Sequence, residues 1–422
     1  MKVTATNRQR LLAVSACSVL LVISGCSSSK KAAGTSTPSG SAAASSTAAG
    51  SAAATTAAAS SAASSNAAGS SPASDTNPIK IGVIDAQSGQ SSSLGKWEYD
   101  GVKLAVDQAN AAGGINGRKV ELTVFDDQGD PTVSTNLARK AVSEGFIAVL
   151  GPAESADAIA MSPILQQAKI PFITSGQSPA MPKLGNPYLF LNSPTSTTYD
   201  TTLANYAVNT AKFTHIAMIS NNGAYGKGEH DAFTAALKAL NVAPVADQIV
   251  TPDQTDFSAA LTSIRQKNPD ALFIGAEEVE SGLIAKQARG LGIKATIIGA
   301  APTSTPIFVQ TAGTADAEGA VSSTPYLTND TNAQTKAFAA AYDAAFGSEP
   351  ELHGAKAYDG AEIMLQALKT TNGAGGQALD DAIRAVKYQG LVGNFAFDAT
   401  GVGVHETQIG LIKNGVLTPA AS

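Results

Sequence analysis

The chain has 422 residues, a formal net charge of −6 and only 15% charged residues. With no basic stripe or Lys/Arg run after residue 77, that balance argues against nucleic acid and anionic membrane surfaces as partners of the folded part. The two cysteines, Cys17 and Cys26, lie near the amino terminus, so a domain that starts later has no thiol for a disulfide, a Cys-ligated metal or a Cys nucleophile.

Residues 1–25 read as an export signal. Lys2, Arg8 and Arg10 form a positive start, and Leu11 to Ile23 an apolar core too short for an ordinary span of ~20 residues. Ile23-Ser24-Gly25-Cys26 resembles a bacterial lipobox, in which cleavage leaves Cys26 amino-terminal and lipid-modified. The alternative is a plain signal peptide with a chance Cys. From 26 to 77 the composition collapses to Ala, Ser, Thr and Gly. Nothing large and apolar is there to bury, so a disordered tether is expected, with a reach of ~35–42 Å.

About 345 residues remain from Pro78 onward, more than one typical core, and they suggest two domains. No second long apolar stretch follows the signal. Short apolar runs alternate with amphipathic stretches. Ile79 to Ile84 reads as a strand, Gly101 to Ala112 as a helix, Lys119 to Phe125 as a strand and Thr132 to Glu144 as a helix. A second series reads helix to about Ala211, strand Ile216 to Ser220, helix Glu229 to Leu240 and strand Val245 to Val250. It continues with helix Phe257 to Lys267, strand Ala271 to Gly275, helix Val279 to Arg289 and strand Thr296 to Gly299. Alternating β and α predicts parallel sheets covered by helices on both faces, here in two doubly wound lobes. After about Asn332 come two helices, Ala333 to Phe346 and Tyr358 to Thr371. A β-like tail follows, in which Phe395 and Phe397 alternate and Asn414-Gly415 marks a turn.

Between the two series lies Gly145 to Pro182. Phe146 to Leu150 reads as a buried strand stopped at Gly151-Pro152. Ser155 stands where a helix N-cap belongs, and Asp157 suits the positive end of the helix dipole. Pro163 predicts a restart or kink. Phe172 to Thr174 is a second strand, running into Ser175-Gly176-Gln177-Ser178. Two Ser-bearing loops would then stand at the carboxyl ends of parallel strands, the edge where open α/β sheets bind ligands. Either these serines only cap and turn, or, with the amides of a helix start, they seat a carboxylate.

Several stretches carry a resemblance. They are IKIGVIDAQSGQSSSLGKWEYDGVKLAVDQANAAGGINGRKVELTVFDDQGDP, VLGPAES, KIPFITSGQSPA, AMISNNGAYGKG, FSAALTSIRQKNPDALFIG, AYDGAEIML and LVGNFAFDATGVG. Their order and spacing resemble the branched-chain amino-acid (Leu/Ile/Val)-binding proteins of ABC transporters, from Ile79 to Val416. The resemblance implies an α/β fold of two doubly wound, Rossmann-like lobes joined by three crossovers, the type I periplasmic binding protein fold. It implies a first lobe of 78–198 and 326–391 and a second of 199–325 and 392–422. Together with the anchor expected at Cys26, it further implies a monomer held outside the cell membrane that binds a small carboxylate-bearing ligand such as an amino acid and hands it to ABC permease subunits, with no cofactor and no enzymatic activity. A sensor of the same fold, signalling to a membrane partner, is the alternative.

By the same resemblance, the Ser that holds the ligand carboxylate falls on Ser155. The loop carbonyl and hydroxyl positions fall on Gly176 and Ser178, and the second-lobe Tyr falls on Tyr225. A wall position near the first loop falls on Leu94. A second Tyr position falls on or near Glu277, and the family's ammonium-binding Glu falls near Ala301, which has no charge. Glu277-Glu278-Val279-Glu280 is otherwise a solvated helix start. Trp97 is either core or pocket rim.

Rival chemistries find little support. There is no G-x-S-x-G, H-E-x-x-H, P-loop or G-x-G-x-x-G, and His215, His230, His353 and His405 are scattered through different elements. The run Asp126-Asp127-Gln128-Gly129-Asp130 lacks the alternating ligands of a calcium loop, so no metal site is expected.

Overall fold

A computed structural model of the chain describes residues 76–327 and 332–420. The expected signal peptide, Cys26 and nearly all of the 26–77 tether lie outside them. No helix among the described residues is long and apolar enough to cross a membrane.

The first series of elements is β1 (Ile79–Asp85), α1 (Ser92–Ala111), β2 (Val120–Asp126), α2 (Pro131–Ser143), β3 (Ala148–Leu150), α3 (Ser155–Ala168), β4 (Phe172–Thr174) and β5 (Leu189–Leu191). The strands form one parallel sheet in the order β2-β1-β3-β4-β5. All but the edge strand β2 are buried on both faces, which is why they read as near-continuous apolar runs, whereas β2 exposes Glu121 and Val124. In β1, Ile79, Ile81 and Val83 join the core under α1, while Ile84 joins Ala138 of α2 and Met161 of α3 on the other face.

The second series runs α4 (Ser196–Asn205), β6 (Ile216–Asn221), α5 (Ala224–Ala239), β7 (Ala246–Val250), α6 (Ser258–Arg265), β8 (Ala271–Gly275), α7 (Glu278–Gly290), β9 (Thr296–Gly299), α8 (Pro306–Ala312), α9 (Thr314–Ala317) and β10 (Val321–Thr324). Alternation again assigns faces. Ala217, Ile219, Leu272, Ile274 and Ile297 pack on one side. Ile216, Met218, Phe273 and Ile298 pack on the other, where Phe233 of α5 stacks on Phe273 with ring centroids 3.9 Å apart.

The chain then returns to the first lobe. It adds α10 (Ala333–Phe346), α11 (Leu352–Thr370) and α12 (Gly376–Ala385). A small antiparallel sheet follows: β11 (Lys387–Gly390), β12 (Gly393–Phe397) and β13 (Gly403–Val404). A hairpin, β14 (Gln408–Lys413) and β15 (Val416–Pro419), closes the second lobe's seven-stranded sheet, β15-β14-β10-β9-β8-β6-β7. Two Rossmann-like lobes and three passages between them make up the type I periplasmic binding protein fold that the resemblance implies.

The structure departs from the sequence reading at identifiable places. The division at 391/392 falls in the turn between β11 and β12. Phe395 packs in the first-lobe core and Val402 bridges Leu191 of β5, so the third passage follows β13. The division at 198/199 falls inside α4, which packs on α5 and β10 of the second lobe. Helix α1 begins at Ser92 rather than Gly101. Its glycines are there for contact: a Cβ on Gly101 would stand 2.2 Å from the Gly354 carbonyl of α11. Helix α3 runs through Pro163 without restarting, and α12 was not expected at all.

Candidate functional site

Parallel strands of both lobes end at one cavity. The first lobe contributes Leu94 from α1, Ala153 after β3, and Ser175 and Gln177 after β4. The second contributes Tyr225 at the start of α5, Glu277 after β8, and Ala301-Pro302 after β9; His353, from the start of α11, completes the wall. A second cavity adjoins it and shares Leu94 and Glu277. Its other walls include Glu154, Asp253, Glu278 and Glu280.

Of the six positions singled out in the sequence, Leu94, Tyr225 and Glu277 line the inner cavity. Ser155, Gly176 and Ser178 are buried and lie on the two loops that deliver Ala153, Ser175 and Gln177 to it. The expectation that Ser155 is the N-cap of α3 is not met. Glu154 holds that place, and Ser155 is the first helical residue. Its Oγ therefore does other work: it accepts the backbone N–H of Gln177 and of Ser178, each at 3.2 Å. With its lone pairs so engaged, the hydroxyl proton remains to be donated. Gly176 keeps this arrangement tight, since a Cβ there would lie 3.2 Å from Ser155 Oγ.

Four further side chains were not singled out. Gln177 is 3% exposed, and neither end of its carboxamide has a hydrogen-bond partner. Glu154 has both carboxylate oxygens buried, with the Ser91 hydroxyl beside them. Lys356 of α11 is 1% exposed and donates to the Ser175 carbonyl at 3.1 Å. Around it stand Glu98, Glu351 and Glu278. Burial pulls the Lys356 pKa down against their attraction, and it pushes Glu98 up despite Lys356. The Ser175 hydroxyl donates to Glu98. Finally, His353 Nδ1 lies 2.9 Å from Glu351 Oε2 and 3.4 Å from Glu278 Oε1, tying α11 to the start of α7.

The acidic run at 277–280 is not a solvated helix start. Glu278 and Glu280 are buried, Glu277 is half-buried, and Glu277 and Glu280 form a capping box. Burial first, then Glu154 from the facing lobe, pushes the Glu277 carboxyl well above the usual range. Glu154 is raised by burial and by Asp85, opposed by the Ser91 hydroxyl. Burial raises Glu229, beneath Tyr225, to about 7 against the Ser196 and Tyr225 hydroxyls. Trp97, left open between core and rim, packs half-buried against a cluster near the lobe junction.

Among the described residues, Glu278, Glu351 and His353 bring one potential metal-ligand atom each within 4.8 Å of one another. The His353 imidazole already bonds Glu351, and the Lys356 ammonium beside them would repel a cation. In the Asp126–Asp130 run, Asp126 accepts amides of Gln87, Ser88 and Gln128, and Asp130 caps α2.

With this geometry in place, comparison with known proteins is informative. A family model described as periplasmic binding protein matches residues 78–415. The chain belongs to that family. The Leu/Ile/Val-binding protein BraC3 of Rhizobium johnstonii is 34% identical over 222 residues, 52% of this chain and 60% of the relative. The Leu/Ile/Val-binding protein of Escherichia coli is 30% identical over the same shares. The matched part thus spans about 60% of the length of these curated relatives. Among solved structures, the branched-chain amino acid transporter binding protein LivJ of Streptococcus pneumoniae, in complex with isoleucine, superposes with a TM-score of 0.76. It is 29% identical, and the match covers 81% of this chain and 97% of that one. A solute-binding protein of R. palustris in complex with benzoate shares the fold, with a TM-score of 0.73 at 20% identity over 81% of this chain and 95% of that one. These relatives are solute-binding proteins rather than enzymes.

Proposed function

We propose that this chain is the extracellular solute receptor of an ABC importer, anchored to the membrane by lipid at Cys26, and that it closes over a small carboxylate-bearing ligand such as an amino acid. The observation that carries this reading is the Ser155 hydroxyl. It is held by two amides of the facing loop, its proton is free to donate, and it stands at the amino end of a 14-residue helix beside a cavity walled by both lobes. A carboxylate there gains charge-assisted hydrogen bonds and the favourable end of a helix dipole. Relatives named for binding leucine, isoleucine and valine support an amino acid as the class. Ser155, Gly176 and Ser178 form the seat, Tyr225 and Glu277 close on the ligand from the second lobe, and Leu94 supplies the apolar wall.

Mass spectrometry of what the denatured protein releases tests this reading. A stoichiometric small molecule bearing a carboxylate is expected. A released ligand without one, together with no calorimetric signal for any amino acid, would overturn it.

A further inference from the structure

The two adjoining cavities differ in chemistry. The inner one, beside the serine seat, is of mixed character: Leu94, Ala301 and Pro302 are apolar, while Gln177 and Tyr225 are polar. The outer one carries Glu154, Asp253, Glu277, Glu278 and Glu280, and among the described residues no lysine or arginine lines it. Some of that charge is already committed. Glu280 accepts from Asn221, from the Asp253 amide and from the Glu277 amide. Glu278 leans on His353. Asp253 is exposed. Glu277 accepts the Glu280 amide in the capping box of α7, and the Ser91 hydroxyl stands against Glu154, but these two acids, one from each lobe, face a common space lined by no lysine or arginine among the described residues. Independently of these acids, the Gln177 carboxamide is 3% exposed with both ends unpartnered at the inner cavity. A buried amide in that state calls for a ligand with both donor and acceptor groups.

We infer that the ligand is a basic amino acid, its zwitterionic head beside Ser155, Ser178 and Gln177 and its distal cationic nitrogen between Glu154 and Glu277. An aliphatic tail passing Leu94 would end among carboxylates and leave the buried Glu154 and the half-buried Glu277 without a counter-charge, which is costly. A cationic tail pairs with both. Because the two acids belong to opposite lobes, the same cation also offsets their mutual repulsion when the lobes close. Leu94 would then pack along the methylene stem, as apolar side chains do against long basic ones.

This inference rests on the amino-acid reading above, and the test separates the two. Calorimetry on the purified chain, stripped of bound ligand, would compare lysine, ornithine and arginine with norleucine, leucine and isoleucine. Norleucine keeps the lysine stem and lacks its charge. At least one basic amino acid is expected to bind tenfold or more tighter than norleucine, about the worth of one charge-assisted hydrogen bond. Glu154→Gln and Glu277→Gln should each weaken that binding by a similar factor, and each should weaken the basic amino acid more than norleucine. Glu154 makes no side-chain cap bond to α3, so Gln there is compatible with the helix; a melting curve checks this for both variants. If norleucine or leucine binds as well as every basic amino acid, the inference falls while the amino-acid receptor stands. If no amino acid binds, both fall.

Discussion

A Cβ placed on Gly228 would stand 2.8 Å from Cδ of Pro179. Gly228 belongs to α5 of the second lobe, and Pro179 follows the strand-end loop of the first, so the lobes meet here with no room for a methyl group. Gly228→Ala is expected to hold the lobes slightly apart and leave both cores intact. Overpacking of this kind costs roughly 1–3 kcal/mol, or about five- to 150-fold in affinity. Solution scattering of the liganded variant should give a larger radius of gyration, and calorimetry weaker binding. Wild-type values in both would show that the Pro179 loop yields.

Ser155→Ala removes the acceptor of two loop amides together with the proposed carboxylate donor. Ser155 is not the cap of α3, so the helix should survive. Loss of ligand affinity is expected at roughly ten- to 150-fold, with circular dichroism unchanged. Binding at wild-type strength would remove Ser155 from the seat.

Asp157 and Asp127 compete for one proton. The Ser134 Oγ lies 2.7 Å from Asp157 Oδ1 and 3.0 Å from Asp127 Oδ2, and a hydroxyl has a single hydrogen to give. A protonated Asp157 resolves the conflict, and burial raises its carboxyl to about 7. The folded protein thus keeps a proton that the unfolded chain releases near pH 4. The associated stability is complete below that pH and is lost as pH rises through about 7. Asp157→Asn keeps a donor and abolishes the titration. The variant should lose stability less steeply than wild type between pH 5 and 8, by up to roughly 3 kcal/mol over the range. Thermal denaturation across that range reads the difference, and identical slopes would sink the idea.

Lys356→Met leaves Glu98, Glu351 and Glu278 buried without their cation. Breaking a buried ion cluster by removing one partner costs about 3–5 kcal/mol. An unfolding free energy from denaturant titration lowered by that amount is expected, whereas a drop under ~1 kcal/mol would mean that the carboxyls are neutral in the wild type.

Cys26 lies outside the described residues, and its test is biochemical. Cys26→Ser is expected to release the protein from the membrane fraction or leave it unprocessed. A variant that stays processed and membrane-bound would contradict anchoring at this residue.

The architecture is readable in the sequence because strands buried on both faces leave unmistakable apolar runs, such as Ala271 to Gly275, spaced by helices. What escaped the reading was set by contacts far away in sequence. Gly95 and Gly101 look like breakers, yet they sit inside α1 where Ala86 and α11 press close. The Gly-rich stretch 372–376 masks α12. Phe395 and Phe397 announce a strand without saying which lobe receives it. In the site, serines on strand-end loops and Tyr225 stood out, because loops at that sheet edge are where ligands bind. Glu154 and Lys356 did not: a Glu before a helix and a Lys within one are ordinarily solvated. Only the packing of α11 under the loop after β4 buries Lys356, and only the approach of the second lobe gives Glu154 its facing acid.

Trp97 is the one tryptophan in the chain. It packs against a cluster that includes Leu104 of the first lobe and Ala301 of the second. Opening the lobes would withdraw Ala301 from that cluster and so alter the packing around the indole. The protein therefore carries its own optical reporter of closure. Native fluorescence should titrate with ligand without any label, and a stopped-flow trace of that signal would time the hinge.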